Sequence, residues 1–528
     1  MSRGSERRCR RTGSLRGGLR KAPCALLRHW QAEVLAQSRA GIVLAIGACL
    51  LLLVDVVFIP RDRKVVTAFL ALGIIVFSFV VNLFTFNENG TAFLGMFAAD
   101  SFTSIANVVI LVTGFISILM SIDYLKRTGI ERGEFYALIL FSLSGMMFMA
   151  SANDLVTIFV ALELLSIPLY VLAAFRVPDV RSEESGMKYF ILGAFASAFF
   201  VYGSALVFGA TGSTSLPTIF AGVQLIVATG GSGAFLLLLG SGLILVGLGF
   251  KVAVVPFHMW TPDVYEGAPT PVTAFMSVGA KIGGFAALLR IVTIALPAFI
   301  LKNGDTTAAW QQTFWLVAAA TLILGNFVAI AQTNIKRMLA YSSIAHAGYI
   351  MMAVAAAGTA GLGLEAIRAA LLYLIAYMFT NLGAFGVAMA IEKDDGTGTT
   401  LEDFVGLAKS RPALAFMMAV FMLSLTGIPL TAGFIGKWYV FRAALEANLI
   451  PLAIIGVLTS VVSAFYYVRI IVNMYLRDGD GDKAEGATEY VNWAIYIAFA
   501  GTIIMGILPF LATNLTDNLT IAATTLIK

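Results

Sequence analysis

The chain has 528 residues, of which 59% are hydrophobic and only 12% are charged. Soluble domains carry about one quarter charged residues, so this composition excludes an ordinary water-soluble protein. Long apolar runs recur from Gly41 to the C-terminus, and many reach the ~20 residues that a helix needs to cross a bilayer. That length also excludes the short alternating strands of a membrane barrel. The sequence therefore predicts an all-α polytopic membrane protein.

The formal charge of +5 is unevenly distributed along the chain. Residues 1–39 hold nine arginines and one lysine against two glutamates, so the remaining residues carry a net negative formal charge. The basic balance therefore describes an N-terminal segment and gives no reason to expect nucleic acid as a partner. We interpret this segment as an upstream start or artefact, as a processed targeting segment, or as a disordered extension.

Cysteine and histidine are too scarce and too scattered to predict a metal or haem centre. The cysteines all lie near the N-terminus, at Cys9, Cys24 and Cys49. The histidines lie far apart, at His29, His258 and His346. Iron–sulfur clusters and structural zinc need four suitably spaced ligands, and a bis-histidine haem needs two facing histidines. We therefore expect this chain to bind no cofactor and expect any electron transfer to take place in other chains.

The apolar runs, read between their polar breaks, predict about fourteen membrane spans. The spans are predicted near Gly41–Ile59, Val65–Phe86, Phe102–Tyr124, Phe135–Ala150, Leu155–Phe175, Tyr189–Ala210, Ala234–Val255, Val272–Leu296, Thr313–Ala331, Met338–Ala357, Ala369–Ile391, Leu414–Leu445, Leu452–Leu476 and Trp493–Leu511.

Lysine and arginine fall in alternate loops, which defines one side of the membrane as the basic-loop face and, by the positive-inside rule, as the cytoplasmic side. The basic residues of these loops are Arg61, Arg63, Lys64, Lys126, Arg127, Arg132, Arg176, Arg181, Lys336, Arg337, Lys409, Arg411, Arg477 and Lys483. The other loops contain almost none apart from Lys302. An even number of spans puts both termini on the opposite side, which the arginine-rich segment 1–39 contradicts.

Two of the spans carry a lysine beside a glycine and proline interruption. Lys251 precedes Pro256, and Lys437 follows Pro429, at a separation that an offset of five helices would give. Broken spans in corresponding positions of two halves mark the ion site in transporters built from inverted repeats. We therefore predict two inverted five-helix repeats with discontinuous helices. The predicted divisions are 1–39 for the N-terminal extension, 40–130 for three peripheral spans, 131–300 and 308–477 for the repeats, and 478–528 for the last loop and span.

Four ionisable side chains lie inside predicted spans beside glycine or proline, namely Glu163, Lys251, Lys281 and Lys437. Each costs roughly 2.5–3.5 kcal/mol at bilayer depth on insertion scales, so each needs a partner or a water-filled cavity. A carboxylate that approaches or leaves a buried lysine changes the affinity of that lysine for a proton. The pattern predicts a proton relay that uses acid–base chemistry only. The alternative is that these groups hold helices together through intramembrane hydrogen bonds.

Three further residues each have two possible roles, and a fourth has a purely structural one. Lys188, just inside its span, is interpreted either as a relay residue or as a side chain that reaches back to the membrane surface. His258 and His346 could relay protons, because an imidazole titrates near neutral pH, or could bond to a neighbouring helix. Asp154 is predicted to cap the helix that begins at Leu155.

Two longer segments are distinctive. Gly249–Pro271 reads GFKVAVVPFHMWTPDVYEGAPTP, and Asn334–Tyr349 reads NIKRMLAYSSIAHAGY. Together with Leu162–Ser166 (LELLS) and Lys188–Phe190 (KYF), they resemble the antiporter-like, proton-translocating subunits of respiratory complex I, the NADH-quinone oxidoreductase. The resemblance covers roughly Gly41 to the end of the chain.

Within that family, the chain is most similar to the subunit N type. Subunit M types typically carry glutamate where this chain has Lys437. Subunit L types, and their relatives in multisubunit cation/proton antiporters, continue into a long lateral helix, whereas this chain ends at Lys528 soon after the fourteenth predicted span.

The resemblance implies a membrane-arm subunit that translocates protons while neighbouring subunits transfer electrons from NADH to quinone. It implies that Glu163 and Lys251 form the uptake-side pair, that Lys281 is the central relay and that Lys437 is the release-side lysine. It also implies FMN, iron–sulfur clusters and quinone in other subunits, partners of the antiporter-like and the small K, J, A and H types, and a bacterial inner membrane rather than a mitochondrial one.

Two other functions stay open at this point. An independent sodium/proton antiporter subunit would exchange ions in vesicles without NADH or quinone. A purely structural spacer would tolerate replacement of its buried lysines by apolar residues and could even become more stable.

Overall fold

The structure is a computed structural model that describes residues 39–60, 63–86, 88–229, 233–296, 310–394, 396–478, 489–517 and 519–521. The interpretations of segment 1–39 therefore concern residues outside the described part, except that Arg39 is the first residue of helix α1. Within the described ranges the chain is almost wholly helical, with one short hairpin of strands β1 (Gly90–Ala92) and β2 (Phe97–Ala99).

The helices follow one another along the described chain with short connections. In order they are α1 (Arg39–Phe58), α2 (Val65–Phe84), α3 (Ser101–Arg127), α4 (Glu134–Ser151), α5 (Leu155–Ala173), α6 (Val180–Thr211), α7 (Leu216–Thr229), α8 (Gly233–Val252), α9 (Trp260–Gly267), α10 (Thr270–Arg290, continued by a π-helical turn Ile291–Ala295), α11 (Gln311–Ile330), α12 (Ile335–Ala356), α13 (Gly363–Ile391), α14 (Pro412–Thr426), α15 (Ala432–Glu446), α16 (Ile450–Leu476), α17 (Glu489–Ile507) and α18 (Phe510–Asp517). Single helical turns at Leu401–Phe404 and Leu407–Ser410 precede α14.

Thirteen of the described helices are long and apolar enough to cross a membrane. The half-helices α14 and α15 together make one more crossing, so the prediction of about fourteen spans in an all-α polytopic protein is confirmed. The sequence did not predict three short helices, α7, α9 and α18, because each is too short to register as an apolar run of spanning length.

The break between α14 and α15 lies at Pro429, the residue from which the interruption was predicted. Gly427 ends α14 with a φ of 94°, and Leu430, next to Pro429, has a φ of 70°. A non-glycine residue rarely adopts a positive φ and keeps it only where the surrounding structure holds it. The interruption is therefore a fixed part of the fold.

The break after α8 has a similar construction. Helix α8 ends at Val252, one residue after Lys251, and Ala253 has a φ of 61°. The prediction of a helix up to Val255 was three residues too long. Pro256 has no backbone N–H to continue the helical ladder, and the chain resumes a helix only at Trp260.

Two N-terminal caps fix the start of helices that carry candidate residues. The Asp154 carboxylate accepts hydrogen bonds from the amides of Val156 and Thr157, which confirms the predicted cap of α5. The Asp179 carboxylate accepts from the Arg181 amide and starts α6 at Val180. The predicted start at Tyr189 was therefore wrong, since the helix begins more than two turns earlier.

The crossings form two successive sets of five, α4, α5, α6, α8–α9 and α10, then α11, α12, α13, α14–α15 and α16. Equivalent backbone bridges join the start of the second helix to the segment after the third in each set, Asp154 to Ser215 and Asn334 to Thr400. Asn334 caps α12 as Asp154 caps α5. Because five is odd, the second set crosses the membrane in the opposite sense, and the two sets are inverted repeats.

Helices α10, α12 and α13 form the centre of the bundle, and nearly all of their residues are buried. Helices α1, α2, α6, α8 and α16 are mostly exposed on one side and present large apolar side chains outward. The three central helices are therefore shielded from lipid, which is where ionisable groups can be held within a membrane.

Candidate functional site

Three predicted lysines are buried in the crossing segments. Lys281 is about 16 Å along α10 from Thr270, at ~1.5 Å per residue, and the bilayer core is roughly 30 Å thick, so this lysine lies near the middle of its span. Lys251 and Lys437 lie at the two helix breaks, and both are buried. The fold thus brings the three lysines into the interior of the bundle.

Lys251 lies in a pocket of hydroxyl groups at the end of α8. Its ammonium donates hydrogen bonds to Ser166 Oγ at 2.8 Å and to the Tyr189 hydroxyl at 3.1 Å. The ammonium also lies 5.3 Å from the centre of the Tyr189 ring, so a cation–π contact adds to its stabilisation. These contacts provide the partners that a buried lysine needs.

Glu163 is half-buried on α5, and its carboxylate accepts a hydrogen bond from Ser197 Oγ of α6 at 2.5 Å. Within the described part of the chain, no direct hydrogen bond or ion pair joins Glu163 to Lys251, and their predicted pairing in proton uptake stays a prediction. Ser166, which bonds to Lys251, lies one helical turn beyond Glu163 on the same helix. Lys251 therefore contacts the same helix as Glu163, one turn further along.

A glycine lets the helix that carries Lys281 approach the helix that carries Lys251. A Cβ at Gly284 would lie 2.7 Å from Val252 Cγ1 and 3.6 Å from Lys251 Cγ. Only glycine admits so close a contact without a shift. Gly284 is one turn from Lys281, so this close crossing brings the helices of the two lysines together next to both side chains.

Lys281 is buried on α10, and its ammonium donates to the backbone carbonyl of Ser343 on α12. The Ser343 hydroxyl in turn accepts from the Tyr377 hydroxyl of α13 at 2.8 Å. The central lysine therefore contacts the second repeat directly.

His346 lies one turn beyond Ser343 and is held between two tyrosines. Its Nδ1 is 2.6 Å from the Tyr373 hydroxyl, and its Nε2 is 3.1 Å from the Tyr467 hydroxyl. The Tyr467 hydroxyl is also 2.5 Å from Ser342 Oγ. A neutral imidazole donates from one nitrogen and accepts at the other, so this arrangement can pass a proton through the ring.

Lys437 on α15 donates to the Thr426 carbonyl and to Ser460 Oγ, both at 2.7 Å. Its ammonium lies 4.8 Å from the centre of the Tyr349 ring. A Cβ at Gly427 would lie 2.8 Å from Lys437 Cδ, so the glycine of the helix break gives the lysine stem its space. The carbonyl that Lys437 binds is one that α14 leaves unpaired where it ends.

A small cavity joins His346 to Lys437, with room for about one water molecule. Its lining consists of His346, Tyr373, Ala376, Tyr377, Thr380, Ser424, Leu425, Gly433 and Lys437. The lysine and the histidine thus share one space although no hydrogen bond joins them directly.

Lys188 lies apart from these buried residues, in a partly exposed group of charges near the basic-loop face. Its ammonium is 2.7 Å from carboxylate oxygens of Glu184 and Asp263. Arg337 of the second repeat also binds Asp263, at 2.8 Å, and binds Glu266 at 2.9 Å. Lys188 is 41% exposed, which favours the side chain that reaches to the membrane surface over a buried relay residue.

His258 is partly buried in the break between α8 and α9, and its Nδ1 has no hydrogen-bond partner among the described residues. It makes no contact that joins it to Lys251. Its part in a relay stays a prediction.

Sequence reasoning missed three buried ion pairs. Asp55 of α1 binds Lys64 at 2.7 Å, Arg290 of α10 binds Asp100 at 2.7 Å and 2.9 Å, and Glu392 after α13 is 3.8 Å from Arg176. Asp55 and Arg290 each interrupt an apolar run, which is a readable signal. Glu392 directly follows a predicted span, so its place in the sequence indicates an ordinary loop residue.

Comparisons with known proteins agree with this geometry. The family model described as NADH:quinone oxidoreductase/Mrp antiporter, transmembrane region, matches residues 152–463. NADH-quinone oxidoreductase subunit N of Chloroflexus aggregans is 46% identical over 471 residues, covering 89% of this chain and 93% of the relative. The chain belongs to the subunit N family. The family match contains all seven candidate residues of the two repeats.

Solved structures extend the likeness of this subunit N chain to its fold. A chain of respiratory complex I from Thermus thermophilus, determined with bound aureothin, is 34% identical with a TM-score of 0.75, covering 91% of this chain and all of the other. A chain of the Mrp complex from Dietzia sp. has a TM-score of 0.76 at 21% identity, which shows a shared fold alone.

Proposed function

We propose that this chain is a proton-translocating subunit of the membrane arm of an NADH-quinone oxidoreductase. Electron transfer from NADH to quinone takes place in other subunits, and this chain couples it to proton movement across the membrane. Membership of the subunit N family supports this role, as does the likeness to a complex I chain. The enzyme class is that of a translocase, to which this chain contributes no redox centre of its own.

One observation carries the proposal, the row of buried basic groups in the interior of the bundle. Lys251, Lys281, His346 and Lys437 lie on adjoining helices, and hydroxyl groups, one packed glycine contact and one small cavity link them. Groups that only hold helices together do not need helix breaks, yet Lys251 and Lys437 each lie beside one. A proton relay does need breaks, because a broken helix supplies free carbonyls and space for water.

The relay would start in the first repeat. Glu163 takes up a proton and passes it to the Ser166 hydroxyl, which gives its own proton to the neutral amine of Lys251. Protonated Lys251 then gives a proton to water and becomes neutral, and the neutral amine of Lys281, the central lysine, takes a proton from water.

Lys281 in turn gives its proton to water. His346 accepts a proton at one ring nitrogen and releases the proton of the other through the Tyr373 hydroxyl, which lines the small cavity, to the neutral amine of Lys437. Each hydroxyl or imidazole gains one proton as it releases another, so only the lysines and Glu163 change charge.

The surroundings of the chain complete the proposal. Its partners are the other membrane-arm subunits, of the antiporter-like and the small K, J, A and H types, together with the lipid bilayer. FMN, iron–sulfur clusters and quinone are bound in other subunits, and the membrane is a bacterial inner membrane. The proposed repeats span residues 131–300 and 308–477, and the predicted roles of Lys188 and His258 in proton transfer are not part of this relay.

Replacement of the central lysine tests the proposal. Lys281→Met keeps the length of the side chain and removes its charge, and we expect at least a ~10²-fold fall in NADH-driven proton pumping, in the range typical of a lost proton-transfer group. Pumping is measured by dye quenching in inverted membrane vesicles that contain the assembled complex. Lys409→Met is the matched control, because Lys409 is 68% exposed and pairs with Asp478 at the surface.

Two results would contradict the proposal. Normal pumping by Lys281→Met, in a complex assembled to the normal level, would leave the chain with a structural role. Cation-dependent proton exchange in vesicles of the purified chain, without NADH or quinone, would instead favour an independent antiporter.

A further inference from the structure

A buried carboxylate lies at the basic-loop face, directly above the helix that carries the central lysine. Glu392 is 3% exposed and follows the last residue of α13. Its carboxylate accepts hydrogen bonds from the hydroxyls of Thr270, the first residue of α10, and Tyr124, the latter at 3.1 Å. Arg176 lies 3.8 Å from the same carboxylate. The row of candidate residues described above does not include Glu392.

Polar side chains continue from this carboxylate down one face of α10. Thr270, Thr273 and Ser277 are all buried, and they are spaced three and four residues apart, with Lys281 four residues further on. This spacing places all four on one face, with steps of about 4.5 to 6 Å along the axis. A single water molecule can span such a step between two hydroxyl groups.

Helix α13 faces this row with an amide. The Asn381 side chain donates to Ser277 Oγ at 2.6 Å. Its Oδ1 is buried and has no hydrogen-bond partner among the described residues. Buried polar atoms almost always bind protein or water, so this oxygen marks a hydrated position between α10 and α13.

The same face ends at the central lysine. Tyr377 lies one turn from Asn381 on α13 and donates to Ser343 Oγ at 2.8 Å. The Ser343 carbonyl accepts from the ammonium of Lys281. We call Glu392, Thr270, Thr273, Ser277 and Asn381 the hydroxyl seam, which runs from the basic-loop face to Lys281.

We propose that the hydroxyl seam delivers protons from the basic-loop face to Lys281, independently of Glu163 and Lys251. This inference rests on the proposed function, because it supplies the central lysine of that relay. Glu392 takes a proton at the face and releases one to Thr270. Each hydroxyl or water then accepts one proton and gives up another, and the neutral amine of Lys281 gains the last one.

The competing explanation is that these groups only hold three buried helices together by hydrogen bonds. Thr273 does make one such contact, since its hydroxyl donates to the Tyr265 carbonyl at 3.0 Å. A pair of substitutions at Thr270 separates the two explanations. Thr270→Val keeps the shape and loses the hydroxyl, whereas Thr270→Ser keeps the hydroxyl and loses a methyl group.

The experiment measures NADH oxidation and proton pumping by the assembled complex in inverted vesicles. Thr270→Val and Ser277→Ala should lower the pumping rate about tenfold, less than the ~10²–10⁴-fold of a fully lost proton-transfer group because water partly replaces a hydroxyl. Thr270→Ser should retain most of the pumping. Thr293→Val is the control. Thr293 lies in the π-helical turn that continues α10, and this change removes a hydroxyl that donates to the Leu289 carbonyl outside the seam.

Lys281→Met in parallel separates failure of the seam from failure of the relay. If Lys281→Met stops pumping while Thr270→Val and Ser277→Ala pump normally, the seam is wrong and the relay stands. A larger loss in Thr270→Ser than in Thr270→Val would show that packing matters at Thr270 rather than proton transfer. If Thr270→Val does not assemble, Ser277→Ala, which removes a single oxygen atom, decides the outcome.

Discussion

The two lysines at the helix breaks have a serine and a tyrosine as neighbours in both repeats, but these partners come from different helices in each. Lys251 and Lys437 each donate to a serine hydroxyl and each lie over a tyrosine ring, at 5.3 Å and 4.8 Å. Counted from the caps of α5 and α12, Glu163 in the first repeat corresponds to Ser343 in the second. The second repeat therefore has a hydroxyl where the first has a carboxylate.

The difference continues one turn further along the same helices. Ser166, which binds Lys251, corresponds to His346, which shares a cavity with Lys437. A carboxylate attracts the charged form of a lysine, whereas an imidazole offers an alternative site for the proton itself. We therefore expect the first repeat to favour proton uptake and the second to favour onward proton transfer.

The largest effect is expected from removing the carboxylate that only the first repeat has. Glu163→Gln keeps an acceptor for Ser197 but cannot carry a proton, so we expect NADH-driven pumping to fall by about 10²-fold. Ser343→Ala, at the corresponding place, should lower pumping less than about twofold, because the backbone carbonyl that holds Lys281 remains. Equal losses in the two variants would show that the repeats do not differ at this position.

An intermediate effect is expected at the next turn. His346→Gln can still bond to Tyr373 and Tyr467 but cannot exchange a proton, and we expect pumping to fall about tenfold. Ser166→Ala removes one hydroxyl, which a water molecule can replace, and should cost about threefold. The measurement is the initial rate of dye quenching per NADH oxidised. A loss at Ser166 that exceeds the loss at His346 would reverse the assignment of the two halves.

The smallest effect is expected from the glycines that seat the lysine stems. Gly284→Ala would press on Val252, and Gly427→Ala would press on the Lys437 stem at a φ of 94°. We expect pumping to fall about two- to threefold in Gly427→Ala and less in Gly284→Ala, because only the former also strains the backbone. Gly209→Ala is a matched control, since nothing lies within 4 Å of its Cβ. A larger loss in Gly284→Ala than in Gly427→Ala would contradict this reasoning.

The sequence predicted the fold and the positions of the main lysines because their signals are local. Apolar length gives the spans, and glycine and proline next to Lys251 and Lys437 mark the breaks. The cap at Asp154 was readable from the residue type and its place before an apolar run. None of these predictions depends on knowing which helices are neighbours.

Predictions failed where contacts come from distant parts of the chain. The resemblance implied that Glu163 and Lys251 form a pair, but it did not indicate that Ser197 binds the carboxylate or that Ser166 binds the ammonium. Tyr373 and Tyr467 meet His346 from two other helices, and no sequence spacing indicates that meeting. The partners of a buried group are a property of tertiary packing, which a single sequence does not display.

The ion pair between Arg290 and Asp100 has a consequence for how the protein enters the membrane. Helix α10 carries Lys281 near its middle and Arg290 at its end. A charge costs roughly 2.5–3.5 kcal/mol at the centre of a lone inserting helix, and less towards its ends. Asp100 precedes α3, which is synthesised before α10. The Asp100 carboxylate is therefore available to pair with Arg290 when α10 inserts. The partner of Lys281 lies on α12, which is synthesised later. We therefore expect the insertion of α10 to become more favourable once α12 has been synthesised.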